Sequence, residues 1–423
     1  MTSSQKRTLL ILGQVWPEPT TTAAGEHMMQ LIHSFRKANY KIHFASSAVQ
    51  TKHSQDLSAF GVKTIRVEIN DSDFDTMIGE LQPDIVIFDR FMVEEQFSWR
   101  VAEHSPKSIR ILNTEDLHSL RKARRDALAA NLECTISFWL RQKDTLRELA
   151  SILRCDLSLI LSKTEVKWLQ EAGIIPDYLL FYLPFMLDNI TDYNTNSYIN
   201  YERRNNFIFV GQGKHAPNED AVRFLKADIW PLIRQKLPEA SLSIYGDGYA
   251  PKIQELHDPA SGFLLCGWKA RLQDVMAKSR INLVPLRYGS GLKGKVISAT
   301  AAGTPSMMTV VGAEGIIPAT GFDTCLADTP EEFAAKAVAL YTDEAGWIDA
   351  QTAMKDIYNT EFDQAIHHDR LHKQLKILLS SVEAMRQRNI VGRMLQHQSL
   401  NSQKYMSKWI EVKNKIGKSG VIS

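Results

Sequence analysis

Residues 285–315 read PLRYGSGLKGKVISATAAGTPSMMTVVGAEG. An apolar run ends in the turn Gly289-Ser290-Gly291, and the turn delivers Lys293 and Lys295 into an alanine-rich helix that stops at Gly303. Glycines let the backbone come close to an anion, and the free N–H groups of a helix start point at it. The lysines add mobile positive charge, each charge-assisted hydrogen bond contributing about 1.5–3 kcal/mol. This is the pattern of a phosphate cradle; the plain alternative is an ordinary strand-loop-helix unit with solvated lysines. A second anion-friendly turn, Gly312-Ala313-Glu314-Gly315, closes the stretch.

Working outward, 423 residues exceed one typical domain and suit two, each able to bury its own core. A hydrophobic content of 44% and a charged content of 23% are globular rather than disordered. Cys134, Cys155, Cys266 and Cys325 are scattered without metal-ligand spacing, the usage expected of reduced thiols in a cytosolic protein. The first residues hold too few apolar side chains for a signal peptide, and no run approaches the ~18 apolar residues of a membrane span. A soluble, cytoplasmic protein is expected.

In the first half, Thr8–Gly13 reads as a buried strand, apolar on both faces as parallel sheets prefer. The loop Gln14–Gly25 leads into a helix over Glu26–Lys37. Strand-like runs at 41–46, 63–69, 85–88 and 109–112 alternate with helical patterns such as Glu94–Glu103, a repeated βαβ unit. Residues 126–150 look helical, Cys155–Ser162 is another buried strand, and Lys163–Gly173 a short helix. Ligands of such sheets sit beyond the carboxyl ends of the strands, which directs attention to Gln14–Gly25, Asp89-Arg90 and Asn113–His118. The last segment, NTEDLH, joins Glu115, Asp116 and His118 to the basic run RKARR at 121–125. Such a cluster could orient an acceptor hydroxyl or an anionic acceptor group. Equally, Glu115 and Asp116 could cap the following helix and pair with its arginines, and Asp89 with Arg90 could be a structural ion pair. The polar stretch Asp188–Asn206 lacks periodic apolar positions and reads as a linker.

The second half opens with strand Phe207–Val210, the turn Gly211–Gly213, and Pro217-Asn218 leading a helix to about Lys236. Strand Ser241–Tyr245 ends at Gly246-Asp247-Gly248, and Phe263–Cys266 ends at Gly267-Trp268. Residues 330–358 read as helical, and Glu361 to about Gln387 as a long amphipathic helix.

From Phe207 to Gly315 the chain resembles the donor-binding segment of retaining GT-B glycosyltransferases of the large family four. The likeness lies in the V-G turn at Val210-Gly211, the Pro217-Asn218 pair, the Ala221-Val222 helix start, and the Gly-Ser-Gly turn followed by a lysine and Lys295-Val296. It implies an α/β GT-B fold, two Rossmann-like domains facing each other across a cleft with a C-terminal helical extension. Residues 1–186 would form the acceptor domain, 187–206 the linker and 207–360 the nucleotide-sugar domain, with 361–423 a helical crossover and basic tail packing back on the first domain. By the same resemblance, Lys293 and Lys295 hold the diphosphate of a nucleotide sugar. Gly211, Lys214, His215, Asn218, Gly246, Gly289, Ser290, Gly291, Ser298 and Glu314 line the donor site, and His118 faces the donor sugar. Trp268 offers a flat surface to the base, a core tryptophan being the competing reading, and His215 competes with a structural histidine. The chain departs from the family where many members carry two glutamates eight positions apart: Ser290 and Ser298 stand there.

The resemblance therefore implies transfer of a sugar from a nucleotide-diphosphate sugar to a hydroxyl of a glycan, lipid-linked sugar or protein acceptor, in glycan or glycoconjugate synthesis. Retention of configuration comes with the family. No metal or other cofactor is expected, because the lysines do what a divalent ion would do and no DxD-type pair sits at a suitable place. Two alternatives stand beside it: a nucleotide-sugar epimerase, and a non-catalytic relic that binds a nucleotide sugar or a partner, which the two serines favour.

The tail from Arg386 onward holds eight Lys or Arg against one acidic residue, Glu411, in a chain of net charge +2. This asymmetry could mark peripheral contact with an anionic membrane surface. No zinc-finger, helix-turn-helix or RNA-recognition signature supports a nucleic-acid partner. The preferred reading places Tyr405, Met406, Trp409 and Ile410, at helical spacing, against the first domain with the lysines in solvent.

Overall fold

The computed structural model describes residues 6–191, 194–195, 198–317 and 322–418. Residues 192–193 and 196–197 of the expected linker lie outside the described residues, as do 1–5, 318–321 and 419–423 of the expected domains. Two parallel sheets organise the chain. The first contains β1 (Thr8–Gly13), β2 (Lys41–Ser46), β3 (Lys63–Arg66), β4 (Ile85–Asp89), β5 (Ile109–Asn113), β6 (Leu157–Ile160) and β7 (Leu180–Tyr182), in the order β3-β2-β1-β4-β5-β6-β7. The second contains β8 (Asn205–Val210), β9 (Leu242–Tyr245), β10 (Phe263–Gly267), β11 (Ser279–Val284) and β12 (Ser306–Met308), in the order β10-β9-β8-β11-β12.

Central strands are buried on both faces because helices cover both, which is why β1 and β4 read as unbroken apolar runs. In each sheet the strand order reverses beside the first strand: β1 lies between β2 and β4, and β8 between β9 and β11. Loops leaving such a switch point diverge and open a crevice at the carboxyl ends of the strands. The loops after β1, β4, β8 and β11 are therefore the ones that build a site.

Three elements differ from the sequence reading. The helical stretch expected at 126–150 is broken into Ile136–Leu140 and Lys143–Arg154 after the end of His118–Ala129. Asn131, at φ +53°, reverses the chain, and the Thr135 hydroxyl restarts it by accepting from Phe138 N. Residues 330–358 form two helices, Pro330–Thr342 and Glu344–Glu361, separated at Asp343. The third strand stops at Arg66, where its pairing with β2 ends.

The chain returns to the first sheet at Leu187, whose N–H donates to Phe362 O (2.8 Å) and whose carbonyl accepts from Gln364 N (2.9 Å). Helix Gln364–Arg388 then buries Leu371, Leu375 and Leu378 in the core under the first sheet. Arg386 ends this crossing: its guanidinium bonds both Asp156 oxygens (2.8 and 2.7 Å) and the carbonyls of Pro106 and Ser108 (2.6 Å each).

Helix Ile390–Lys418 packs on helices Phe91–His104 and Lys143–Arg154, through side chains other than those the spacing picked out. Leu400 and Ser407 are buried, the Ser407 hydroxyl accepts from buried Arg100 (3.0 Å), and Lys404 pairs with Glu103 (2.5 Å). Tyr405, Met406 and Trp409 point outward, each more than half exposed. The inner side of this helix is chosen by polar partners for a buried arginine, which apolar spacing alone does not reveal.

Replacing Arg386 by alanine leaves Asp156 without its principal cation and two carbonyls without a donor. Urea unfolding of Arg386→Ala is expected to show a loss of about 1.5–3 kcal/mol, the worth of hydrogen bonds to a charged group.

Candidate active site

A cleft of about 930 Å³ opens between the carboxyl ends of the two sheets. That volume lies within the usual range of small-molecule sites, about 300–1,000 Å³. From the second sheet it is lined by Gly211, His215, Asn218, Gly289, Ser290, Gly291, Lys293, Lys295 and Ser298, and from the first by Glu115, Asp116 and His118. Four expected residues lie elsewhere. Gly246 and Trp268 border a small adjoining recess with Gly211, where the half-exposed indole tilts against His53 at 4.8 Å. Trp268 is thus not a core tryptophan. Lys214 is exposed, its aliphatic stem lying along Gly248. Glu314 stands outside the lining and clasps Arg124 through both oxygens (2.6 and 2.9 Å).

Both lysines are at the wall. Lys293 occupies the N-cap position of helix Gly294–Ala301 and Lys295 its first turn, so side chains and free helix N–H groups converge. The Lys293 ammonium donates to Gly291 O at 3.0 Å and lies 3.9 Å from Glu314. Burial pulls its pKa below the usual lysine value, Glu314 opposing. Lys295 donates to the neutral amide oxygen of Asn218 (2.5 Å) and lies 4.4 Å over the Phe209 ring. Burial, reinforced by Lys293, lowers its pKa to about 7. His215 falls to about 4 through burial and Arg121, and is neutral at pH 7.

The turn before the lysines is held by the first sheet's loops. The Ser290 hydroxyl donates to Asp116, Gly291 N donates to Glu165 Oε1 (2.9 Å), and Arg124 donates to Gly289 O (2.8 Å). Gly291 has φ +64°, and a Cβ there would stand 2.8 Å from that of Asp116, so only glycine fits. Burial acts to raise the Asp116 pKa, yet the ion pairs with Arg121 and His118 (3.0 Å) hold it well below the usual carboxylate range. Glu115 sits at φ +60° with Oε1 accepting from Asn113 (2.8 Å) and facing His27 (2.9 Å). That bonding supports the loop.

Neither Glu115 nor Asp116 caps the following helix. Glu148 does so from a distance, accepting from the N–H groups of His118 (2.9 Å) and Ser119 (3.0 Å), while Glu165 accepts from Leu117 N (2.7 Å). Asp89 is turned toward Gln14 N (3.3 Å) and Asn113 (3.5 Å), and Arg90 toward Gln14 Oε1 (2.6 Å). Arg90, Arg121, Arg271 and Glu26 add further charged side chains to the lining. Sequence reasoning pointed to Arg90 and Arg121 through strand ends and charge, but nothing in the sequence marks Glu165, which arrives from helix Lys163–Glu171.

Burial, and then Asp116, raise the Glu165 pKa from 4.5 to about 8, so at pH 7 it is mostly the neutral acid. A carboxyl whose folded pKa is raised stabilises the fold below its unfolded pKa and loses that contribution as pH rises through the folded one. Stability is therefore expected to fall from pH 4.5 toward about 8, and Glu165→Gln, which keeps the accepting oxygen, should flatten that slope in urea unfolding. Glu165→Ala should instead cost about 1–3 kcal/mol, because two buried N–H groups lose their acceptor.

Comparison with known proteins agrees with this layout. Residues 204–343 match the family model described as glycosyl transferases group 1. No curated protein matches the chain. Among solved structures, the Anabaena protein Alr3699/HepE in complex with UDP and glucose superposes with a TM-score of 0.65 at 12% identity, over 88% of this chain and 100% of that one. Sucrose-phosphate synthase from Thermosynechococcus elongatus gives 0.65 at 12%, over 89% and 100%. A glycosyltransferase from Rickettsia africae gives 0.61 at 12%, over 88% and 99%. The fold is GT-B.

Proposed function

We propose, from the match of residues 204–343 to the model described as glycosyl transferases group 1, that this chain moves a sugar from a nucleotide-diphosphate sugar to an acceptor hydroxyl. One observation carries the reading: two desolvated lysine ammonium groups converge in the inter-sheet cleft at a glycine turn and a helix start. In this proposal the chain divides into an acceptor domain to residue 186, a linker to 206, a donor domain to 360 and a crossover beyond. The diphosphate lies on Lys293, Lys295 and the amides around Gly211 and Gly289–Gly291, with Asn218 and Ser298 beside it. Gly246 and Trp268 border the end of the site that takes the base. Lys214 and Glu314 act from outside the cleft wall, Glu314 by fixing Arg124 and flanking Lys293.

Cleavage at the anomeric carbon leaves growing negative charge on the diphosphate oxygen. Pre-placed ammonium groups and amides stabilise that charge without reorganisation, which is where a single donor typically contributes about 10²–10³ in rate. His118, held by Asp116, faces the sugar and acceptor, Glu115 fixes their loop, and neutral His215 offers a hydrogen bond rather than charge. Transfer proceeds with retention and with the lysines in place of a metal, in assembly of a glycan or glycoconjugate.

Calorimetry with UDP-, GDP- and ADP-sugars is expected to give binding to one of the three. Lys293→Ala should then lose about 10²–10³ in turnover. Unchanged turnover would remove the cradle from the mechanism. Slow donor hydrolysis without acceptor marks a transferase; conversion of the sugar nucleotide marks an epimerase, and binding without turnover a relic.

The Lys295 pKa of about 7 supplies a pH test. A bound diphosphate favours the ammonium, so affinity for the sugar nucleotide should be level below about 7 and fall above it, by up to about tenfold per unit for one linked proton. Lys295→Arg, always charged, should abolish that fall in a titration across this range.

A further inference from the structure

Among the described residues, the terminal helix leaves an apolar face with no protein against it. Along Ile390–Lys418, the inner side is marked by Gly392, Leu400 and Ser407; any side chain at 392 would collide with the Leu153 carbonyl. At roughly 100° per residue, Val391, Met394, Tyr405, Trp409 and Val412 fall within a stripe opposite that inner side. These five and the adjoining Met406 are between 54% and 67% exposed. Exposed Gln398 falls in the same stripe, so the apolar surface is densest from Tyr405 to Val412. Such a patch is not how a helix ordinarily meets water, which calls for polar side chains outward.

Charge names the occupant. The same rotation puts Lys408 and Lys413 on opposite flanks of the stripe, and the Lys413 ammonium rests 5.2 Å over the Trp409 ring. The helix carries Arg393, Lys404, Lys408, Lys413, Lys415 and Lys418 against Glu411, with Lys404 paired to Glu103 and Lys415 to Glu411. Two copies meeting on this face would bring like charges together, whereas a bilayer surface of anionic lipid supplies apolar depth beneath a negative rim. An aromatic pair in the stripe suits the boundary between headgroup and acyl chain, where amphipathic rings sit. Among the described residues no helix is long and apolar enough to cross a membrane, so the contact is one of lying on the surface.

We propose that the outward face of helix Ile390–Lys418 docks the protein on an anionic lipid bilayer, with Tyr405, Trp409 and Val412 entering the acyl boundary and Lys408 and Lys413 meeting the headgroups. The inference stands apart from the reading of the cleft, since none of these residues lines it.

Flotation of the full chain with vesicles tests it directly. Binding is expected to equimolar phosphatidylglycerol and phosphatidylcholine and not to phosphatidylcholine alone, and to weaken as salt is raised. The double variant Trp409→Gln, Val412→Gln, outward-facing and so folded by circular dichroism, should bind at least about tenfold more weakly, as expected when apolar area is withheld from the interface. Lys408→Glu, Lys413→Glu should do the same while leaving the apolar stripe intact. Failure of the unaltered chain to float with anionic vesicles would overturn the proposal, as would equal binding by the variants. So would a lipid-free dimer, seen by sedimentation, that the Trp409 and Val412 changes dissolve, for then a second copy covers the face.

Discussion

Two ammonium groups withdrawn from water at the meeting of two sheets set the terms for everything around them. A buried lysine is costly unless an anion or a set of acceptors offsets its lost hydration. Among the described residues, Lys293 has one carbonyl and a carboxylate 3.9 Å away, and Lys295 a neutral amide oxygen and a ring face. Such incomplete compensation is tolerable because the charges point into a cleft. In the proposed reading it suits the cleft to an anion with more than one negative oxygen.

The framework that enforces this geometry comes from the opposite sheet. Asp116, Glu165 and Arg124 take hold of the three residues Ser290, Gly291 and Gly289 in turn, so the glycine turn is shaped as much by the first half of the chain as by its own. A serine at 290 suits this clasp: its short hydroxyl reaches Asp116 without filling the cleft. Asp116 is simultaneously bound to Arg121 and His118, which ties the turn to the histidine across the crevice. Loop, clasp and histidine form one connected network, and Glu165, largely uncharged at neutral pH, adds acceptor oxygen there without adding another buried negative charge.

Much of this was legible in sequence where the signal is local. Strands β1, β4, β8 and β11 announce themselves as apolar runs, and the glycine turn with two lysines, where backbone freedom and charge sit within seven residues, lines the cleft. What escaped is long-range. Glu148 caps a helix that begins 30 positions earlier, and Glu165 bonds Gly291 across 126 positions, so neither has a motif. Periodicity also says that a helix has an apolar face without saying which way it turns: Tyr405, Met406 and Trp409 were expected inward and stand outward because Arg100 and Glu103 draw Ser407 and Lys404 to the other side. The position of Trp268, beside rather than within the cleft, was equally beyond a reading of strand ends.

The central claim is that the Lys293 and Lys295 ammonium groups receive a diphosphate. A crystal structure of the chain soaked with UDP tests it most directly. The expected result is a diphosphate with its terminal phosphate within hydrogen-bond distance, about 2.7–3.2 Å, of both ammonium groups and over the N-terminus of helix Gly294–Ala301. A nucleotide lodged elsewhere on the molecule, with both lysines untouched, would contradict it.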